Sequence, residues 1–126
     1  MRIISGIHKG KRLIAPSNLP VRPTTDFAKE ALFNIINNHF DFYDINVLDL
    51  FAGTGNISYE FAARGAKQVV AVDNNYSCID FIKKTAGKLD FSQIHTIRTD
   101  AFSYLASCKQ SWDIIFADPY YDCEKF

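Results

Sequence analysis

Near the C-terminal end of the sequence, an acid, a proline and two tyrosines follow the apolar run 114–117. The carboxylate of Asp118 could accept a hydrogen bond from the exocyclic amine of a nucleobase and draw the nitrogen lone pair out of conjugation. Pro119 would fix the turn that presents this acceptor together with a backbone carbonyl. Tyr121, or alternatively Tyr120, offers a ring on which a base could stack, a contact worth ~1–3 kcal/mol. Unless the segment is an ordinary Asp-Pro turn, these residues predict an amine held for methyl transfer.

The stretch "VLDLFAGTGNIS" places Asp49 near the end of an apolar strand and Gly53 and Gly55 in the turn that follows, with Phe51 beside them. Glycines allow the backbone to approach a ligand and to adopt positive φ values. The dinucleotide fingerprint is absent, because the third residue after Gly55 is Ser58, and no Gly-Lys-Ser/Thr of a phosphate loop follows. A carboxylate in this loop suits a cationic ligand. The alternative is a tight strand-to-helix turn with a capping acid.

Two further acids follow the next two predicted strands. Asp73, with Asn74 next to it, could accept both hydroxyls of a ribose, as an acid does at this position in dinucleotide folds, or it could simply form the turn after the strand. Asp100 could accept the exocyclic amine of an adenine, with Ala101 and Phe102 bordering the ring, or it could be the N-cap of the following helix. Three acids at successive strand ends predict an adenosine ligand that carries positive charge, and S-adenosylmethionine fits.

Short apolar runs alternate with segments of helical periodicity along the chain. Such alternation predicts an α/β fold, a parallel sheet with helices on both faces. Uninterrupted apolar strands are typical of a sheet that is covered on both sides. The predicted strands are 46–52, 68–73, 94–98 and 113–118, and the predicted helices are 26–40, 56–66, 77–89 and 101–107.

The charges are unevenly distributed in a chain whose formal net charge is zero. Residues 1–22 contain five lysines and arginines and no acid. We therefore expect a basic arm, residues 1–25, on one domain, residues 26–126. Such an arm indicates a polyanionic partner, or else a solvated tail.

Three cysteines without a Cys-x-x-Cys pair indicate reduced thiols in the cytoplasm and predict no zinc site. The three histidines have no partner at a metal-ligand spacing, so no metal is expected. No apolar run reaches the roughly 20 residues of a membrane span, so no membrane partner is expected.

The segments "RIISGIHKGKRL", "VRPTTDFAKEALFNI", "VLDLFAGTGNISYEFAARGA" and "DIIFADPYYD" together resemble the bacterial methyltransferases that modify guanine N2 in 16S ribosomal RNA. The resemblance runs along essentially the whole chain. It implies a Rossmann-like class I fold dependent on S-adenosylmethionine, with 16S rRNA or the assembling small ribosomal subunit as partner. Amine positioning by Asp118 and Pro119, with stacking by Tyr121, is implied as well. Cofactor roles are implied for Asp49, Phe51, Gly53, Gly55, Asp73, Asn74, Asp100 and Ala101, and RNA contacts for Lys9, Lys11, Arg12 and Arg22.

Two departures from the family pattern matter. The family's second proline is Tyr120 here, which leaves open which tyrosine stacks on the base. The family fold also carries three more strands, so we expect the N-terminal two-thirds of such an enzyme, with its fourth strand at an edge. Alternatives are a DNA adenine-N6 methyltransferase and a non-catalytic RNA-binding fragment. A nicotinamide oxidoreductase is disfavoured by the missing third glycine.

Overall fold

The computed structural model describes residues 1–21 and 24–119. Four strands form one sheet in the spatial order β3-β2-β1-β4, and each adjacent pair is parallel, as the alternating pattern predicts. The strands are β1 (Asn46–Leu50), β2 (Gln68–Asp73), β3 (Ile94–Arg98) and β4 (Ile114–Ala117). The helices are α1 (Asp26–Asn37), α2 (Asn56–Ala63), α3 (Tyr76–Lys88) and α4 (Ala101–Ser107). Within the described part of the chain, no helix is long and apolar enough to cross a membrane.

Several element boundaries differ from the prediction by about one to three residues, and local backbone geometry accounts for two of them. Strand β1 ends at Leu50, because Phe51 adopts a left-handed φ of 56° that cannot continue a strand. Helix α1 begins after the N-cap Thr25, whose side chain accepts a hydrogen bond from the backbone N–H of Ala28. It ends at Asn37 rather than at residue 40, and Asn38 is its C-cap.

Apolar side chains of the strands point alternately to the two faces of the sheet. Val47 and Val69 belong to a core cluster that includes residues of α1, α2 and α3. Leu48 and Val70 belong to a second cluster, in which Ala101 of α4 takes part. The prediction that helices cover both faces is therefore confirmed.

The N-terminal segment is a hairpin that packs on the body of the fold. Arg2 and Arg12 form an antiparallel bridge, and Ile3 and Leu13 are buried in the main core cluster. At the hairpin tip, a Cβ on Gly6 would lie 2.0 Å from the carbonyl oxygen of Ala63, so only glycine permits this approach. The division at residue 25 stays a prediction, although the hairpin shares its core with the rest of the structure.

A buried carboxylate on α2 holds the first strand of this hairpin. Glu60 is fully buried and accepts hydrogen bonds from the backbone N–H groups of Ile4 at 2.9 Å and Ser5 at 3.1 Å. Arg64, one turn later, donates from Nε to Glu60 at 2.8 Å, and its guanidinium carbon lies 4.8 Å from the centre of the Phe33 ring. A buried charge is stable only when it is paired and hydrogen-bonded. The Glu60 carboxylate therefore depends on the backbone of the hairpin and on the Arg64 side chain.

Replacement of Gly55 by alanine should destabilise the fold by about 2 kcal/mol or more. Gly55 has a φ of 82°, and a Cβ would lie 2.7 Å from the hydroxyl oxygen of Tyr59. That hydroxyl donates to the carbonyl oxygen of Thr54 at 2.7 Å, so the ring cannot retreat without loss of a buried hydrogen bond. The free energy of unfolding in urea measures the change.

Gly87→Ala is the matched control, because a Cβ at this helical position meets nothing within 4 Å. We expect Gly87→Ala to be neutral or to stabilise the fold by up to about 1 kcal/mol. Equal effects of the two substitutions would contradict the role assigned to the left-handed turn.

Candidate functional site

The candidate site lies where the strand order reverses. β2 and β3 lie on one side of β1 and β4 on the other, and in open parallel sheets ligands bind outside the carboxyl ends at such a switch point. Leu50 pairs with Ala117, so Asp118 follows β4 beside the point where the chain leaves β1. The predicted site residues that the structure places at this edge are Asp49, Phe51, Gly53, Gly55, Asp73, Asn74, Asp100, Ala101, Asp118 and Pro119. Tyr121 and Arg22 lie outside the described residues.

The glycine loop, residues 51–55, is built from left-handed backbone. Phe51, Gly53 and Gly55 have φ values of 56°, 58° and 82°. The backbone N–H of Ala52 donates to the carbonyl oxygen of Val72 at 3.0 Å, and that of Gly55 donates to Ala52 at 2.9 Å. The loop therefore curls tightly over the end of β1 and stays attached to β2.

Asp73, at the end of β2, organises this loop. One carboxylate oxygen accepts the backbone N–H of Gly53 and the other accepts that of Asn75, each at 2.9 Å. The side chain is only 3% exposed. The Asn75 contact fits the turn-forming alternative, whereas the hydrogen bond to Gly53 was not expected from the sequence. Because each carboxylate oxygen can accept more than one hydrogen bond, the ribose contact stays a prediction.

Asp49 is a buried acid at the base of the loop. It is 1% exposed, and its Oδ2 accepts a hydrogen bond from Ser58 Oγ at 2.6 Å. Burial raises the pKa of Asp49 to about 7; the hydrogen bond from Ser58 opposes this rise, and the negative charges of Asp73 and Asp118 contribute to it. A nearby positive charge would favour the ionised form.

Asp100 is the N-cap of α4, which is the alternative role that the sequence left open for it. Its Oδ2 accepts the backbone N–H of Ser103 at 2.9 Å and the Ser103 hydroxyl at 3.2 Å. The adenine contact stays a prediction.

A small cavity of about 20 Å³ lies at the ends of the first three strands. It is lined by Phe51, Val72, Asp73, Asn74, Thr99, Asp100 and Ala101.

Sequence reasoning missed some residues that shape the site. Ser58 was noted only because it is not a glycine, yet it holds the buried Asp49. Thr99 lines the cavity, and its position directly after β3 was the signal that could have identified it. The guanidinium carbon of Arg98, at the end of β3, lies 5.7 Å from the centre of the Tyr76 ring at the start of α3, so the two side chains form a cation–π pair. That pair joins residues far apart in the sequence, so no local pattern indicated it.

The basic residues of the hairpin lie away from the strand ends. Lys9, Lys11 and Arg12 are exposed, and the last two line a groove of about 330 Å³ that Lys88 of α3 also borders. His8 fixes this groove, since its Nε2 lies 2.8 Å from the carbonyl oxygen of Leu89 just after α3. α3 starts beside Asp73 and lines the groove from Phe81 to Lys88, so the groove begins about 8 Å from the start of the helix and extends to about 18 Å along it. Among residues 1–21 and 24–119, no cluster of three or more histidines, cysteines or acids could hold a metal.

The raised pKa of Asp49 predicts a pH-dependent difference between the wild type and Asp49→Asn. Between pH ~4, the ordinary value of an aspartate, and pH 7, the native state keeps a proton that the unfolded chain releases. The stabilising contribution of protonated Asp49 is therefore complete below pH ~4 and is lost as pH rises to about 7. Unfolding free energies at pH 4 and pH 8 should show that the wild type loses stability relative to Asp49→Asn. Ser58 can still donate to the amide oxygen, so a difference that does not change with pH would contradict the assignment.

Comparisons with known proteins agree with this architecture. The family described as conserved hypothetical protein 95 matches residues 1–126. The ribosomal RNA small subunit methyltransferase D of Buchnera aphidicola subsp. Baizongia pistaciae is 34% identical over 119 residues, 94% of this chain and 60% of the relative. The protein of the same name from Escherichia coli K12 is 30% identical over 119 residues, 94% of this chain and 59% of the relative. The chain thus spans about 60% of the length of these two relatives.

Solved structures give the same result for the fold. The Escherichia coli protein YhhF superposes with a TM-score of 0.84 at 28% identity, over 97% of this chain and 65% of the other. The C-terminal domain of precorrin-6Y C5,15-methyltransferase from Rhodobacter capsulatus has a TM-score of 0.57 at 18% identity, over 61% of this chain and 41% of the other, and supports the fold alone. With a Rossmann-like class I methyltransferase fold and a family match along its whole length, the chain belongs to the family described as conserved hypothetical protein 95.

Proposed function

We propose that this chain belongs to an enzyme that uses S-adenosylmethionine to methylate the exocyclic N2 amine of a guanine in small-subunit ribosomal RNA. Relatives named ribosomal RNA small subunit methyltransferase D, 34% and 30% identical over 94% of the chain, support the reaction class and the kind of RNA. The guanine N2 position rests on the family resemblance of the sequence and on the chemistry of the segment that begins at Asp118.

The observation that carries the proposal is the convergence of acids around the glycine loop. Asp49, Asp73 and Asp100 lie at the carboxyl ends of three neighbouring strands, and residues 49–55 contain no lysine or arginine. This set of acceptors fits a cationic adenosine ligand, whereas a pyrophosphate would be repelled. In the proposed arrangement Asp49 faces the charged end, Asp73 accepts the ribose hydroxyls and Asp100 accepts the adenine amine.

The adenine end of the site requires a local opening. The cavity at the strand ends holds about 20 Å³, roughly the space of one water molecule. The ring of Phe51 lines this cavity, and the ring of Phe102 packs edge to face against it, with the two ring centres 6.1 Å apart. A rotation of the half-buried Phe102 would admit a planar base, and the ring would then cover the base.

Amine positioning falls to the segment after β4. Asp118 is exposed and follows β4 beside the point where the chain leaves β1, and its negative charge contributes to the raised pKa of Asp49. The bound cofactor would supply an electrophilic methyl carbon. Asp118 and a neighbouring backbone carbonyl would accept the two amine protons and direct the nitrogen lone pair, while Pro119 fixes the turn. Alignment of this kind, rather than a strong base, is what the residues provide.

Asp118→Asn should keep cofactor affinity within about twofold and abolish methyl transfer, because Asp118 is proposed to hold the amine and not the cofactor. Calorimetric titration of the 126-residue chain with S-adenosylmethionine measures affinity, and a reduced nicotinamide dinucleotide serves as the control that should not bind. Asp73→Ala is the matched variant, and we expect at least a tenfold loss of affinity because both the ribose contact and the Gly53 hydrogen bond disappear.

Transfer of a labelled methyl group to a guanine-containing small-subunit RNA fragment tests the amine. The same RNA with inosine, which lacks the N2 amine, should accept no methyl group, and a DNA duplex tests the adenine-N6 alternative. If the folded wild-type chain fails to bind S-adenosylmethionine, the proposed cofactor site is wrong. A tenfold loss of cofactor affinity in Asp118→Asn would move Asp118 into the cofactor site.

Replacement of both Lys11 and Arg12 by alanine should weaken binding of single-stranded RNA by about tenfold and reduce the salt slope by roughly 1.4, or 0.7 for each charge lost. Both residues line the basic groove beside α3. Fluorescence anisotropy over a series of salt concentrations measures both quantities. The double replacement of Lys67 and Lys109, two exposed lysines that do not line the groove, is the charge-matched control. Equal losses in the two double variants would show that net charge, rather than this groove, determines RNA affinity.

A further inference from the structure

A fully buried lysine on α1 belongs to none of the site residues described above. Lys29 Nζ donates to the carbonyl oxygen of Arg2 and to Asn56 Oδ1, the latter at 2.7 Å, and lies 3.3 Å from Glu60 Oε1. Burial lowers the pKa of Lys29, and the neighbouring carboxylate of Glu60 opposes this effect. All three hydrogens of the ammonium group can therefore be satisfied, by one acceptor in the hairpin and two on α2.

The acceptor that matters for the site is Asn56. It directly follows Gly55, opens α2 and is 3% exposed. Its Oδ1 accepts from Lys29, and its Nδ2 donates to the carbonyl oxygen of Thr24 at 2.8 Å. The side chain does not cap its own helix. Instead, it joins the exit of the glycine loop to the start of α1.

A second contact joins the same two regions from the other side. A Cβ on Gly53 would lie 3.3 Å from Cγ2 of Val21, so this valine rests directly on the glycine loop. Val21 and Thr24 thus contact the loop near its middle and at its exit.

We propose that Lys29 and Asn56 are positioning residues, which fix the glycine loop at its exit into α2 in the geometry that the cofactor requires. This inference rests on the proposed function in naming the ligand, but the positioning itself concerns the loop alone. Neither residue has to touch the cofactor. Displacement by about 1 Å of groups that align a reaction can cost a hundredfold in rate, so a site of this kind needs rigid support.

A purely structural role for the charge is the weaker explanation. Buried ion pairs often contribute little net stability, and well-packed apolar residues can replace them. Glu60 already has Arg64 Nε at 2.8 Å and two backbone N–H donors without Lys29. Lys29 adds a directional hydrogen bond to Asn56, a side chain that links the exit of the glycine loop to the start of α1.

The test compares Asn56→Ala and Lys29→Met with Arg64→Met. Asn56→Ala removes the loop contact but leaves Lys29 with Glu60 and the Arg2 carbonyl, so it should fold even if Lys29→Met does not. Arg64→Met removes a different hydrogen bond to the same Glu60, on the side away from the glycine loop. Any general loss of stability should therefore be similar in the control.

Amide hydrogen exchange at Gly53 and Gly55 is the readout that needs no cofactor, because it reports local opening of the loop. We expect exchange at least tenfold faster in Asn56→Ala than in the wild type, and a change of less than twofold in Arg64→Met. Affinity for S-adenosylmethionine should fall about tenfold in the first variant and remain unchanged in the second.

Wild-type exchange rates at both glycines in Asn56→Ala would overturn the proposal, as would equal acceleration in Arg64→Met. Faster exchange in Asn56→Ala together with a wild type that binds no S-adenosylmethionine would support the positioning role and refute the proposed cofactor. Failure of the positioning role and failure of the proposed cofactor therefore give different results.

Discussion

The hydrogen bond from the Gly53 backbone to the buried carboxylate of Asp73 is the constraint on which the candidate site depends. It joins the turn after β1 to the tip of β2, and Ala52 adds a second link to the same strand through the carbonyl of Val72. Charge-assisted bonds of this kind are short and strong in a buried setting. The loop can hold its left-handed shape because Asp73 over-determines it. Any ligand at the strand ends therefore meets a loop whose shape is fixed before binding.

A second buried carboxylate, Glu60, ties the N-terminal hairpin to the same region. Through Lys29 and Asn56 its contacts extend to the exit of the glycine loop. The hairpin is proposed to hold RNA and the loop to hold the cofactor, so the two functions rest on one polar network in the protein interior. Such a network costs desolvation energy and is retained where it fixes one geometry.

The acids at the site differ in what their surroundings do to them. Asp73 and Asp100 each accept backbone N–H groups at strand and helix ends. Asp49 accepts one hydroxyl in a dry environment and holds its proton up to about pH 7. A cationic ligand beside Asp49 would favour the carboxylate, so binding of the proposed cofactor would be accompanied by release of a proton near neutral pH.

The sequence by itself determined the parallel α/β fold, because apolar runs and helical periodicity are local patterns that reflect burial on both faces. It also placed Asp49, Asp73, Asp100 and Asp118 near strand ends, since each lies within about two residues of the end of a strand. Only the tertiary structure showed that Asp73 holds Gly53, that Ser58 holds Asp49, and that Lys29 is fully buried between the hairpin and α2. These contacts join residues up to 27 positions apart. Their energies depend on distance and burial in space, which composition and spacing along the chain do not encode.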